Sequence, residues 1–363
     1  MHITLYIGSL SGGGAEKVAC NLANYLVNKG HNVTILTMDD EPAQYELSDR
    51  VERIPLIYKK ERKGSLYNLI LRLKRYKRYL KYSSTDVYLV MLPVVIIISL
   101  FMSRFTNKPM IMAERNMPSL YSRYKRFFLK KLWKKADAWC FQTEDQRKWY
   151  PKEIINMPTC IIPNAINPDI NFDNNKVGSK KEIVSVGRLT SQKNHILLIN
   201  AFKRISDLYP DYKLVIYGKG PLRDFLANQI TKLGLENRVI LYGHCKNAID
   251  KIKEASIYIH SSNFEGMPNA LMEAMALGLP CISTDCEGGG ARFLIENNKN
   301  GILIPRNNIN ALESAMKRLI DDRTWGLSLG EKAKKIRNRL SSDGIYNQWE
   351  GFIKRIYNER KTN

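Results

Sequence analysis

The chain of 363 residues carries 57 Lys or Arg against 35 Asp or Glu, a formal net charge of +22, and 44% of its residues are apolar. Its length exceeds what one hydrophobic core usually serves, so two domains are expected, and its composition excludes an intrinsically disordered chain. Six cysteines without a C-x-x-C pair and five scattered histidines argue against a disulfide framework or a metal site and for a reducing compartment, with no metal and no cofactor expected.

The first element is an alternating strand, Ile3–Ile7, followed by the glycine loop Gly12-Gly13-Gly14 and a helix periodic in Val18, Leu22 and Leu26. No basic region precedes an apolar core, so no signal peptide is expected. Glycines after a strand let the backbone approach a ligand where any Cβ would collide, although tight strand–helix turns use glycine too. The loop is not G-x-G-x-x-G, which disfavours a nicotinamide site. His31–Met38 reads as a second strand and Asp39-Asp40-Glu41 as solvated loop. The longest apolar run, Val87–Met102, has 16 residues interrupted by Pro93 and Ser99, whereas a membrane span needs roughly 20. It reads as a buried strand, Val87–Leu92, followed by a core helix.

Two segments concentrate the charge. Lys59–Lys81 holds ten bases against one acid, Glu61, and Arg104–Lys148 holds twelve against four. A helix over Leu66–Tyr82 sets Leu69, Ile70, Leu73, Tyr76 and Leu80 in a stripe among bases. Arg72, Arg75 and Arg78 recur every third residue, near enough to one face to act together. A helix over Leu120–Lys135 interleaves Tyr121, Tyr124, Phe127, Phe128 and Trp133 with Arg and Lys. Basic amphipathic helices rich in aromatics suit an anionic membrane surface, the alternative being a solvated lysine-rich face. No nucleic-acid partner is expected, because no recognition motif accompanies the charge.

Asp169–Lys181, rich in Asn, Asp, Gly and Ser, reads as a linker. Strands Ile183–Val186, Leu214–Tyr217, Val239–Tyr242 and Ile257–His260 then alternate with helix-length segments, which predicts a parallel sheet. The loop after the first carries Arg188 and Lys193, which together can neutralise a diphosphate without a metal. After the last comes a turn through Glu265, Gly266, Met267 and Pro268, then a helix from Asn269 that Gly278 and Pro280 stop. A helix N-terminus makes the backbone around Gly266–Asn269 a seat for phosphate. Glu273 lies about one turn further in, within reach of a sugar hydroxyl, and Glu265 sits on the ligand-facing edge of such a sheet. On spacing alone, an ordinary amphipathic helix with two solvated glutamates accounts for the stretch as well. Ile309–Leu319 and Gly344–Arg360 complete the chain as helices.

The E-x7-E spacing from Glu265 to Glu273, followed by EAMALGLPCIST, resembles the signature of retaining nucleotide-sugar glycosyltransferases of family 4. Their α/β fold is GT-B, two Rossmann-like domains facing each other across a cleft. Further matches follow in the family's order: G-G-G-A-E at Gly13 and Gly14, I-P-N at Cys160–Asn167, and G-R-L with K-N at Arg188 and Lys193. Tyr217-Gly218-Lys219-Gly220-Pro221 and Gly243-His244-Cys245-Lys246 complete them. The resemblance implies an acceptor- and membrane-facing domain over residues 1–165, a nucleotide-sugar domain over 166–343, and a helix, 344–363, crossing back onto the first.

It further implies that Arg188 and Lys193 clamp the diphosphate, Glu265 faces the donor sugar and Glu273 holds the ribose. The backbone at Gly218, Gly243 and His244 lines the base, and Gly13 and Gly14 border the cleft. His244 and His260 read as structural rather than catalytic. Leu66–Tyr82 resembles the basic helix of members acting on lipid-linked oligosaccharides, which implies acceptor-pyrophosphate contacts for Arg72, Arg75 and Arg78. Two stretches depart from the pattern. Glu114-Arg115-Asn116 stands where many members have a His turn, so Arg115 would meet a phosphate or an acceptor carboxylate. Gly288–Phe293 lacks the Pro and Glu of G-G-P-x-E.

The expected activity is transfer, with retention, from a UDP-sugar to a membrane-held glycan such as a polyprenyl-diphosphate-linked intermediate of an O-antigen, capsule or glycoprotein pathway. N-acetylgalactosamine is the candidate sugar, and the expected location is the inner face of a bacterial cytoplasmic membrane, peripherally bound. Two rivals stand beside it. A GT-B sugar-nucleotide 2-epimerase would need no acceptor, and a non-catalytic basic membrane-binding protein would release no UDP.

Overall fold

Strand β1 (His2–Ile7) shows why the first sheet is parallel. It does not alternate in burial as the sequence suggested: Thr4 and Tyr6 are as fully covered as Ile3 and Leu5. Strands buried on both faces belong to parallel sheets sandwiched by helices. The buried Thr4 is satisfied locally, its hydroxyl sharing hydrogen bonds with Thr85 at 2.7 Å and Tyr79 at 2.9 Å.

The computed structural model describes residues 1–168, 170–172, 176–245 and 248–362. They divide into two units, Met1–Ala165 with Asp343–Asn363, and Ile166–Ser342. The first continues through α1 (Gly14–Asn28), β2 (Asn32–Thr37), β3 (Val51–Pro55), α2 (Ser65–Tyr82) and β4 (Val87–Met91). It then runs through α3 (Pro93–Met102), β5 (Met110–Ala113), α4 (Arg123–Leu132), β6 (Ala138–Phe141), α5 (Glu144–Trp149) and β7 (Thr159–Ile161). The seven strands pair in parallel in the order β3-β2-β1-β4-β5-β6-β7. The apolar run at 87–102 is β4 and α3 split at Leu92, whose φ of 78° turns the chain before Pro93 opens the helix. Among the described residues no helix is long and apolar enough to cross a membrane.

The second unit holds β8 (Glu182–Val186), α6 (His195–Ser206), β9 (Lys213–Tyr217), α7 (Arg223–Lys232), β10 (Val239–Gly243), α8 (Ala248–Ile252) and β11 (Ile257–His260). It closes with α9 (Asn269–Leu277), β12 (Cys281–Asp285), α10 (Gly290–Leu294), β13 (Ile302–Pro305), α11 (Ile309–Asp321), α12 (Arg323–Ala333) and α13 (Ile336–Arg339). Its parallel order is β10-β9-β8-β11-β12-β13. Sequence reasoning named four of these strands and missed β12 and β13. Asp169, Asp173, Asn174 and Asn175 of the expected linker lie outside the described residues. Its remainder is anchored to the unit, Gly178 N–H donating to Ala255 O at 2.9 Å. The last helix, α14 (Ser342–Thr362), packs on the first unit: the Tyr346 ring lies tilted against Tyr25 at 5.4 Å and Glu350 pairs with His31 at 3.0 Å.

Candidate active site

In each sheet the strand order reverses once, between β1 and β4 and between β8 and β11. Ligands of open α/β sheets bind outside the carboxyl ends of the strands at such a point. In the second unit the two loops leaving it are Gly187–Asn194 and Ser261–Pro268, and they are stitched together. Asn263 N–H donates to Gln192 O at 2.8 Å, Gln192 Nε2 to Phe264 O at 3.1 Å, and Ser261 Oγ to Lys193 O at 2.8 Å.

This stitching brings Lys193 and Glu265 together. The Lys193 Nζ forms an ion pair with Glu265 Oε1, both side chains largely covered, at 16% and 11% exposure. Ser262 Oγ donates to the same oxygen at 3.0 Å, and His260 Nε2 lies 3.8 Å away. Burial pushes the Glu265 carboxyl up, but the Lys193 charge, with the hydrogen bonds from Lys193 and Ser262, more than offsets it and holds the group below the usual range. Burial drives His260 down to about 3, and the neighbouring ammonium adds to the effect. The imidazole is therefore neutral. Arg188, exposed, is tethered to Gln192 at 3.4 Å.

Glycines make the approach possible. A Cβ on Gly187 would sit 3.1 Å from three carbons of the Lys193 stem, so the lysine runs along bare backbone. A Cβ on Gly218 would fall 1.9 Å from Gly187 O, and Gly218 N–H donates to Gly243 O at 2.7 Å. Gly288, at φ +103°, supports Glu265 from below: a Cβ there would lie 1.8 Å from Glu265 O, while Glu265 N–H donates to Glu287 O at 2.9 Å. Sequence reasoning left the role of Gly288–Phe293 open and missed Gly187, Ser262 and Gln192. Their signal was position alone, on the loops that leave β8, β11 and β12. Helix α9 starts after Pro268 without a side-chain cap, with Gly266, Met267 and Pro268 buried and Asn269 and half-buried Glu273 on its first turns. Gly243, at φ +91°, and exposed His244 end the neighbouring β10, while Lys246 lies outside the described residues.

In the first unit Gly13 precedes α1, Gly14 opens it, and both follow β1 at the other switch point. The turn after β5 is buried. Arg115 points into its own unit: its guanidinium donates to Asn164 Oδ1 and to Ile162 O, and stacks over Trp349 at 5.7 Å. Glu114 takes the Tyr121 hydroxyl at 2.6 Å and the Tyr150 hydroxyl at 3.0 Å. Its burial outweighs those bonds and pushes the carboxyl up to about 7. Arg72, Arg75 and Arg78 are not brought together. Arg72 Nε donates to Met38 O at 2.9 Å, Arg75 pairs with Glu61 at 2.6 Å, and Arg78 is exposed. Successive steps of three residues turn about 60° each around a helix of 3.6 residues per turn, which spreads the three over too wide an arc.

Comparison with known proteins agrees with this architecture. Residues 12–170 match the family described as Glycosyltransferase Family 4, and residues 167–339 that described as Glycosyl transferases group 1. Over 227 residues the chain is 33% identical to an uncharacterized glycosyltransferase of Methanocaldococcus jannaschii, using 58% of this chain and spanning 56% of that relative's length. It is 29% identical over 355 residues to the N-acetylgalactosamine-N,N'-diacetylbacillosaminyl-diphospho-undecaprenol 4-alpha-N-acetylgalactosaminyltransferase of Campylobacter jejuni, covering 91% of this chain and 93% of that one. In fold it is similar to Anabaena HepE, crystallised with UDP and glucose, at a TM-score of 0.79 with 18% identity, over 96% of this chain and 98% of that one. Two adjoining family matches running from residue 12 to residue 339, on two parallel-sheet Rossmann-like units, make this chain a family 4 glycosyltransferase of the GT-B fold.

Proposed function

We propose that this glycosyltransferase moves a sugar, with retention, from a UDP-sugar to a glycan carried on a polyprenyl diphosphate. The observation that carries the reading is the Lys193–Glu265 pair at the switch point of the second sheet, beside the start of α9. Lys193 and Arg188 neutralise the departing diphosphate, helped by the backbone over Gly266–Asn269. Glu265 orients the donor sugar and Glu273 the ribose, while Gly218, Gly243 and His244 border the base. The leaving diphosphate assists deprotonation of the acceptor hydroxyl, so no carboxylate nucleophile is required. UDP is favoured because HepE was crystallised with it, and N-acetylgalactosamine because the Campylobacter relative is named for its transfer to a diphospho-undecaprenol glycan.

Residues 166–343 act as the donor domain, and residues 1–165 with 344–363 meet the acceptor, Gly13 and Gly14 at its sugar end. The supporting feature for a membrane-held acceptor is the exposure of Leu66, Ile70, Tyr124 and Phe127 among the bases of α2 and α4. Such a face suits the inner, anionic leaflet of a cytoplasmic membrane. On α2, Arg78 meets the acceptor pyrophosphate first; Arg72 and Arg75 join only if released from Met38 and Glu61.

A panel of nucleotide-sugars, monitored for UDP release with a lipid-linked acceptor extract, tests this. Lys193→Ala and Glu265→Ala should each lose at least about 100-fold in turnover, and full activity in either refutes the roles given. Conversion of the nucleotide-sugar without acceptor would mark an epimerase, and no UDP from any donor a binding protein. Replacing Lys74, Lys77 and Arg78 with Gln should weaken binding to anionic vesicles most at low salt.

A further inference from the structure

The first unit carries a second cationic site, at the opposite edge of its sheet from Gly13 and Glu114. Where β5 and β6 begin, the surface forms a cavity of ≈ 370 Å³ lined by Arg104, Lys108, Lys135 and Arg360, with Asp137 the only carboxylate. The four cations come from separate stretches, the turn after α3, the turn before β5, the turn before β6 and the end of α14. Asp137 is already engaged, accepting Met110 N–H at 2.8 Å and lying 3.6 Å from Arg360. Among the described residues Arg104, Lys108 and Lys135 have no ion-pair partner. The turn that carries Lys108 is fixed by its backbone N–H, which donates to Thr106 Oγ1 at 3.1 Å.

Positive charge gathered in one concavity repels itself, and an anion relieves that repulsion. Two guanidinium forks beside two ammonium groups fit the tetrahedral oxygens of phosphate better than a planar carboxylate. We infer that this cavity is a phosphate-binding site, separate from the donor loops, taking the phosphate of a lipid headgroup or of a free phosphorylated compound. It stands on its own charges and does not rest on the proposed reaction. A headgroup has a ready route: Phe101, exposed on the last turns of α3, packs on Phe128 of α4 at 5.4 Å, and Lys77 and Arg104 both lie over Phe105 beside the cavity.

Site-resolved lysine acetylation of the full chain, read by mass spectrometry, tests the site. Inorganic phosphate, against chloride at equal ionic strength, or vesicles of phosphatidylcholine with phosphatidic acid, against phosphatidylcholine alone, should slow acetylation of Lys108 and Lys135. Exposed Lys213 and Lys232 of the second unit serve as references and should not change. Protection by phosphate in solution assigns a free ligand, and protection by the phosphatidic acid vesicles alone assigns a headgroup. In Arg104→Gln/Arg360→Gln, with its fold checked by circular dichroism, the concentration needed for protection should rise at least about tenfold, because two charge-assisted contacts are gone. Equal acetylation of Lys108 and Lys135 in every condition overturns the inference, as does unchanged protection in the double variant.

Discussion

Glu265 follows β11 in the second unit and Glu114 follows β5 in the first; both are buried at the carboxyl end of a parallel strand, yet they are held in opposite states. Glu265 shares its surroundings with an ammonium and stays ionised. Among the described residues Glu114 takes its hydrogen bonds from hydroxyls and backbone N–H groups, and its carboxyl titrates near 7. Burial alone therefore does not tell which carboxylate can face a ligand as an anion. What separates them is direct pairing: the loop of the neighbouring strand sets the Lys193 ammonium on the Glu265 carboxylate, whereas the Arg115 guanidinium beside Glu114 is turned to Asn164 and Ile162.

The largest break in this comparison is Lys193→Met. It leaves Glu265 buried without its cation, which should lower stability by about 3–5 kcal/mol, and most of the loss should return in Lys193→Met/Glu265→Gln. Denaturant titration of the three proteins measures it. If the double variant is no more stable than the single one, the pair is not what holds the two loops.

Next in size is Gly288→Ala, on the order of 4 kcal/mol, combining left-handed strain with a Cβ 1.8 Å from Glu265 O. Glu114 is instead fixed by tyrosine hydroxyls. A melting temperature equal to that of the wild type would show that the loop from 286 to 290 yields freely.

This difference also explains what was legible in the sequence. The second unit's site could be read because Arg188, Lys193, Glu265 and Glu273 are chemistry-bearing residues at fixed offsets from strand ends. Its supports could not, since Gly187 and Gly288 act through a missing Cβ and Ser262 through one hydroxyl. In the first unit β1, β2 and β4 were readable, whereas β3 and β6 were not read, nor was the direction of a long side chain. Arg115 sits on a strand-end turn as expected, yet the Asn164 side-chain carbonyl and the Trp349 ring of α14, far off in sequence, take its guanidinium inward. Arg75 is likewise drawn to Glu61 by a turn whose course the spacing of α2 does not encode.

The two regions should also answer pH with opposite signs. The folded chain keeps the Glu114 proton to about pH 7, whereas the unfolded chain loses it near 4.5. Folded protein thus binds the extra proton between those values, and this group's contribution falls by about 3 kcal/mol as pH rises through the window. His195 and His260 work the other way. Burial holds them down to about 4 and about 3, the unfolded imidazole binds its proton below about 6.5, and their contribution grows as pH rises toward that value. Glu114→Gln should therefore gain on the wild type between pH 5 and pH 7.5 in paired urea titrations. A constant gap between the two proteins would mean that Glu114 ionises normally.

The smallest effect tests whether hydroxyls alone tune Glu114. Tyr150→Phe removes one donor to Glu114 Oε2, at 3.0 Å, and keeps the ring that packs, tilted, against Trp139 at 4.7 Å and Phe141 at 5.4 Å. One lost hydrogen bond to a buried group should lower stability by about 1 kcal/mol. Because that bond favours the ionised carboxylate, its loss should also move the Glu114 titration to higher pH, whereas lost packing would leave the titration in place. The carboxyl resonance followed by NMR distinguishes the two. An upward shift means that the first unit tunes its carboxyl with dipoles where the second uses a charge, and no shift would place the control of Glu114 in desolvation alone.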